Sequence, residues 1–97
     1  MLTVSEFNGY AKHSVKQFNR VRSYGKFKKF LKDYYIKDGD CLIYKHITHY
    51  FLDERICCES IDVKTGIFTV SVDDYSYDVK ISPKRCEVAL QVWKEMN

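Results

Sequence analysis

Phe68-Thr69-Val70-Ser71-Val72-Asp73-Asp74-Tyr75-Ser76-Tyr77-Asp78-Val79-Lys80-Ile81-Ser82-Pro83-Lys84-Arg85 is the stretch that decides the fold. Phe68, Val70 and Val72 alternate with Thr69 and Ser71, then Tyr77, Val79 and Ile81 alternate with Asp78 and Lys80. A period of two is what half-buried antiparallel strands show. Asp73-Asp74 marks the turn between the two runs. The same period reaches back towards Arg55, and Lys64-Thr65-Gly66 reads as a three-residue hairpin loop with glycine at the left-handed position. A three-stranded antiparallel meander results. Ser82-Pro83 then supplies an N-cap and a first helical residue, opening a closing helix whose inward face is Cys86, Ala89, Leu90, Trp93 and Met96.

Upstream the period changes to that of a helix. Thr3-Val4-Ser5-Glu6 fits a capping box, with Leu2 and Phe7 at the two positions of a hydrophobic staple. Phe7, Ala11, Val15, Phe18 and Val21 continue an apolar face, while Lys12, Lys16 and Arg20 recur every four residues on the opposite one. Gly25 interrupts the pattern. A second, shorter helix follows, with Phe27, Phe30, Leu31 and Tyr34 on one face and Lys26, Lys28, Lys29 and Lys32 around it. Lys37-Asp38-Gly39-Asp40 closes the unit as a turn. In residues 41–52, Leu42, Ile43, Ile47, Tyr50 and Phe51 take helical spacing behind Asp40 as N-cap, and the expectation is a helix, with a strand as the alternative. The fold class expected is α+β: N-terminal helices, the meander, and a C-terminal helix packed on the sheet, in one domain over 1–97.

Composition agrees with a chain that folds unaided. Hydrophobic residues make up 45% and charged residues 30% of 97 residues, and at this length folding hides roughly 60–65% of the unfolded surface. No apolar run approaches the ~20 residues that cross a bilayer, and Met1-Leu2-Thr3 leads into polar sequence rather than a signal peptide. A cytoplasmic, intracellular location away from membranes is the expectation. Cys41, Cys57, Cys58 and Cys86 lack CxxC spacing and read as reduced thiols packed as small hydrophobes.

Charge carries the functional signal. Residues 1–48 hold ten Lys/Arg against four Asp/Glu, a net +6, whereas residues 49–97 hold six against nine, a net −3. Between Phe7 and Lys32 no acid occurs, and Lys12, Lys16, Arg20, Arg22, Lys26, Lys28, Lys29 and Lys32 supply eight positive charges. Exposed helices ordinarily mix signs to pair at i, i+4, and the ordinary fate of a charge run is a solvated face. A run of this length without acids suits a partner instead. Phosphate backbones reward it through counterion release, with Tyr24, Tyr34 and Tyr35 interleaved to stack on exposed bases. An acidic protein surface rewards it as well. Lys84 and Arg85 add cations in the first turn of the closing helix, where the macrodipole disfavours them unless an anion is bound.

Catalytic patterns are missing: there is no nucleophile elbow, phosphate loop or H-E-x-x-H, so no catalytic residue, cofactor or enzyme activity is expected. His46 and His49 could share a metal on a helix with one of the cysteines, but on a strand they diverge, and no metal site is expected.

The run from about Asp40 to Met96, through Phe68-Thr69-Val70-Ser71-Val72 and Ser82-Pro83-Lys84-Arg85, resembles the double-stranded-RNA-binding domain, whose order is helix, three antiparallel strands, helix. That resemblance implies a role for Lys84 and Arg85 on phosphates across the RNA major groove. The leading expectation is a non-enzymatic protein that binds nucleic acid through Lys12, Lys16, Arg20, Lys26, Lys28, Lys29, Lys32, Lys84 and Arg85. The alternative is a small virus- or phage-encoded inhibitor that uses the same residues to occlude a host nucleic-acid-handling complex, with Tyr and Arg as interface anchors. A homodimer joining the basic half of one copy to the acidic half of another is the third reading.

Overall fold

Thr3 opens the chain's first helix by accepting a hydrogen bond from the Glu6 amide at 3.1 Å. The cap is of the single-bond kind, since the Glu6 carboxylate makes no return bond to Thr3. Leu2 and Phe7 are both buried, as the staple requires. The computed structural model describes residues 2–45 and 57–96. In chain order they form α1 (Val4–Asn19), α2 (Tyr24–Tyr34), β1 (Tyr35–Asp38), β2 (Cys41–Tyr44), β3 (Cys57–Asp62), β4 (Ile67–Val72), β5 (Tyr75–Lys80) and α3 (Pro83–Glu95).

The strands make one antiparallel sheet in the order β1-β2-β3-β4-β5, so the fold is α+β with five strands among the described residues rather than three. The added pair is the β1–β2 hairpin. Lys37 and Asp38, expected in the turn, belong to β1, and the chain reverses at Gly39-Asp40 with Gly39 at φ +57°. Cys41–Tyr44 is strand, which corrects the helix expected there. The rest of that expected helix, with His46 and His49, lies outside the described residues. Helical spacing is a local signal and is outweighed here by pairing on both sides: Leu42 sits between Lys37 of β1 and Ile61 of β3 and is completely buried.

The other turns follow the sequence. Gly66 has φ +73°, and a Cβ there would stand 3.2 Å from the Cys86 Sγ, so both backbone conformation and space call for glycine. Asp73 takes the left-handed conformation at φ 52°, one that aspartate tolerates. Gly25 does not break the helices, for it lies inside the first turn of α2. The break is at Arg20–Ser23, where the Ser23 hydroxyl caps α2 by accepting from the Lys26 amide.

One face of the sheet carries the core. Phe68, Val70 and Val72 of β4 point into it with Leu42 and Ile61, and α1 packs on β4 and β5. The Phe18 ring stacks on Phe68 at 4.4 Å and meets Phe27 of α2 edge-on at 5.4 Å. The closing helix α3 packs on α2 and β2, burying Val88, Ala89 and Val92. Val88 and Val92 correct the expected inward face, whose Cys86, Leu90, Trp93 and Met96 lie at its margin. The cause is that α3 meets both α2 and the sheet, so its buried stripe is set by two neighbours. Trp93 fixes its far end by donating to the Gly39 carbonyl at 2.8 Å, with the Lys37 ammonium 3.9 Å over the indole.

Candidate nucleic-acid interface and the cleft beside it

The nine cations singled out by the sequence divide into two groups. Lys12 and Lys16 stand on the exposed face of α1, and the guanidinium of Arg20, at its C-cap, donates to the Gln17 side chain at 3.3 Å. Arg22 and Lys26 continue the run on either side of Ser23, both exposed. Among the described residues none of these five cations has a carboxylate within ion-pair distance. A positive charge near the C-terminal end of α1 is favoured by the helix dipole, which suits Lys16 and Arg20.

The second group is matched internally. Lys28 and Lys32 converge on Glu95 of α3 at 3.4 and 3.0 Å. Their presence lowers the Glu95 pKa, first through the hydrogen bond from Lys32. Lys29 pairs with Asp33 one turn on, at 2.9 Å, and Lys84 lies 3.8 Å from Glu87 with its ammonium 5.8 Å from the Tyr24 ring. Arg85 is turned inward. Its guanidinium donates to the carbonyl of Phe18 at 3.2 Å and to that of Val21, and covers the Phe27 ring at 4.7 Å. Burial lowers its pKa from the ordinary value. Of the expected stacking tyrosines, Tyr24 and Tyr34 are 47% and 41% exposed, but Tyr35 is 3% exposed and belongs to the core, a correction that follows from its place as the first residue of β1.

Beside the α1 face lies a cleft of about 420 Å³ between α1, α2 and the sheet. Tyr10, His13 and Arg20 of α1 form one wall, Phe30 of α2 another, and Tyr44 and Glu59 of the sheet its floor. Glu59 shares its strand phase with buried Cys57 and Ile61, which puts a carboxylate on the core-facing side of a central strand. The register that pairs Ile43 with Ser60 brings Tyr44 beside it one residue further on. On the other side Glu59 pairs with Val70.

The Glu59 carboxylate makes no hydrogen bond and no ion pair among the described residues, and burial raises its pKa. No fully buried side-chain oxygen or nitrogen among those residues lacks a partner, so the carboxylate oxygens retain access to the cleft. Three phenols stand within reach of its charge. Burial, followed by the Glu59 charge, pushes Tyr10 up to about 12. The same two causes, in the same order, raise Tyr35 and Tyr44. All three are therefore O–H groups at neutral pH. Glu59 was not among the residues picked from the sequence, although the signal is there: in Cys57-Cys58-Glu59-Ser60-Ile61 it occupies the apolar phase of the alternation.

A pH dependence follows from the raised Glu59 pKa. In acid both folded and unfolded chains are protonated at this site and it contributes nothing. As pH rises through the unfolded carboxylate's pKa, the unfolded chain loses its proton first, so stability falls until the folded pKa is passed. Glu59→Gln removes that loss. Its melting temperature should exceed that of the unmodified chain at neutral pH and converge with it in acid; a constant difference across the titration would mean that Glu59 ionises alike in both states.

No protein-family model matches the chain, and no curated protein or solved structure matches it either.

Proposed function

We propose that this chain binds nucleic acid without catalysing a reaction on it, through the basic face formed by Lys12, Lys16 and Arg20 of α1 and continued by Arg22 and Lys26. The observation that supports it is the contrast between two sets of cations. Lys28, Lys29 and Lys32 of α2 are paired with Asp33 and Glu95, while Lys12, Lys16 and Arg20, with Arg22 and Lys26 at the α1–α2 corner, face outward with no acid among the described residues to match them. Such a row carries a standing self-repulsion that phosphate relieves, with release of counterions. Exposed Tyr24 beside this row supplies a face on which a base can stack. Lys28, Lys29, Lys32 and Arg85 have partners of their own and are left out of the interface.

The test is the salt dependence of binding, measured by fluorescence anisotropy with labelled single-stranded and duplex RNA. Affinity should fall steeply with salt, and K12Q/K16Q/R20Q should reduce the log–log slope by up to about 3, since each phosphate contact contributes about 0.7–0.9. The matched triple variant K28Q/K29Q/K32Q should leave the slope nearly intact. Absence of binding at low salt, or a slope that the first triple variant does not change, would assign the face to another partner, an acidic protein surface foremost.

A further inference from the structure

We infer that the cleft between α1 and the sheet is a base pocket that takes a guanine of single-stranded nucleic acid, with Glu59 accepting hydrogen bonds from its Watson–Crick edge. The inference rests on the nucleic-acid reading above and gives it a base preference. Its starting point is the uncompensated carboxylate. An ionised Glu59 only accepts hydrogen bonds, and the described residues supply it with no donor. A ligand that brings N–H groups into the cleft meets that demand.

Guanine is the base that brings them in the right form. Its N1–H and N2–H groups lie side by side and point the same way, matching the two oxygens of one carboxylate. Adenine and cytosine each present a single amino donor beside a ring nitrogen that accepts, and uracil presents one N–H between two carbonyls. Each of these sets an acceptor against the carboxylate.

The remaining walls agree with a base. Half-buried Phe30 and Tyr44 are held by ring contacts, Phe30 to Tyr35 at 5.6 Å and Tyr44 to Tyr35 at 5.3 Å, and offer stacking surface. The volume of about 420 Å³ falls within the ~300–1,000 Å³ of small-ligand sites. Arg20 shares the cleft and argues against an organic cation as its occupant, for it would repel one. Arg20 also belongs to the basic row, so a phosphate held there would place its own base next to Glu59.

Calorimetry with GMP, AMP, CMP and UMP, alongside anisotropy with a uridine hexamer carrying one central guanine or one central adenine, tests the assignment. GMP should bind at least about tenfold tighter than the other nucleotides, as a bidentate contact discriminates. Glu59→Gln should erase that preference and leave the salt slope of hexamer binding unchanged. Phe30→Leu should weaken every nucleotide by about tenfold with the guanine preference kept. Salt-dependent hexamer binding with no preference for guanine, or a preference that survives Glu59→Gln, overturns the pocket and leaves the basic face standing. Glu59-dependent GMP binding without hexamer binding at low salt keeps the pocket and overturns the nucleic-acid reading. Binding of neither ligand overturns both.

Discussion

Arg85→Ala should lower the unfolding free energy by about 2–3 kcal/mol, the cost typical of losing charged hydrogen bonds to groups left without partners. The argument begins at the end of α1, whose last carbonyls have no helical donors. Arg85, from the first turn of α3, supplies them from outside, donating to Phe18 in that last turn and to Val21 just beyond it. The positive group also sits at the negative end of the α1 dipole and over the Phe18 and Phe27 rings, both favourable. Truncation strips two carbonyls of their donor and removes the cover from two rings. For a domain of this size the melting temperature should drop by about 4–8 °C per kcal/mol. Arg85→Lys should recover only part, because an ammonium cannot reproduce a planar fork that bridges two acceptors. Lys84→Gln, one residue earlier and exposed, should stay within about 0.5 kcal/mol of the unmodified chain. Urea unfolding of the three variants decides the matter, and an Arg85→Ala midpoint equal to that of the parent would refute the strut.

Adjacent Lys84 and Arg85 show how far the sequence could be read. Both appear as cations at a helix start, and nothing local says that one is a strut between helices while the other remains at the surface. The same holds for Lys28, whose partner Glu95 is 67 residues away. A basic run is visible in sequence; Lys29 finds Asp33 within α2, but the pairing of Lys28 and Lys32 is a property of how α2 packs on α3. Features set within a few residues were legible: the Thr3 cap, the left-handed Gly66, the turn at Asp73 and the Ser82-Pro83 helix start. Cys41–Tyr44 was misread because its apolar spacing fits a helix, and only Ile61 and Lys37, brought alongside by the sheet, make it a strand. Glu59 stood in plain view in the alternation but looks like an ordinary strand carboxylate until α1 and α2 close over that side of the sheet.

Phe27→Ala should be costlier still, about 3–5 kcal/mol, the range for deleting a large buried aromatic side chain. Stabilities of small domains are about 5–15 kcal/mol, so this variant should be partly unfolded at 37 °C or close to it. Phe27 has no exposed surface, and its ring is the point where three elements meet: edge-on to Phe18 of α1, beneath the Arg85 guanidinium of α3, and carried by α2. The surroundings cannot collapse easily into the space left, since Phe18 is held on its other side by stacking against Phe68. Phe27→Leu refills most of the volume and should cost markedly less. The double variant gives the sharper reading. If Arg85 is stabilised partly by the ring below it, Phe27→Ala and Arg85→Ala should fall short of additivity by about 0.5–1 kcal/mol or more, whereas residues that act independently add. An additive cycle would leave the two carbonyl hydrogen bonds as the whole of Arg85's contribution, and the aromatic cluster as a core that forms without it.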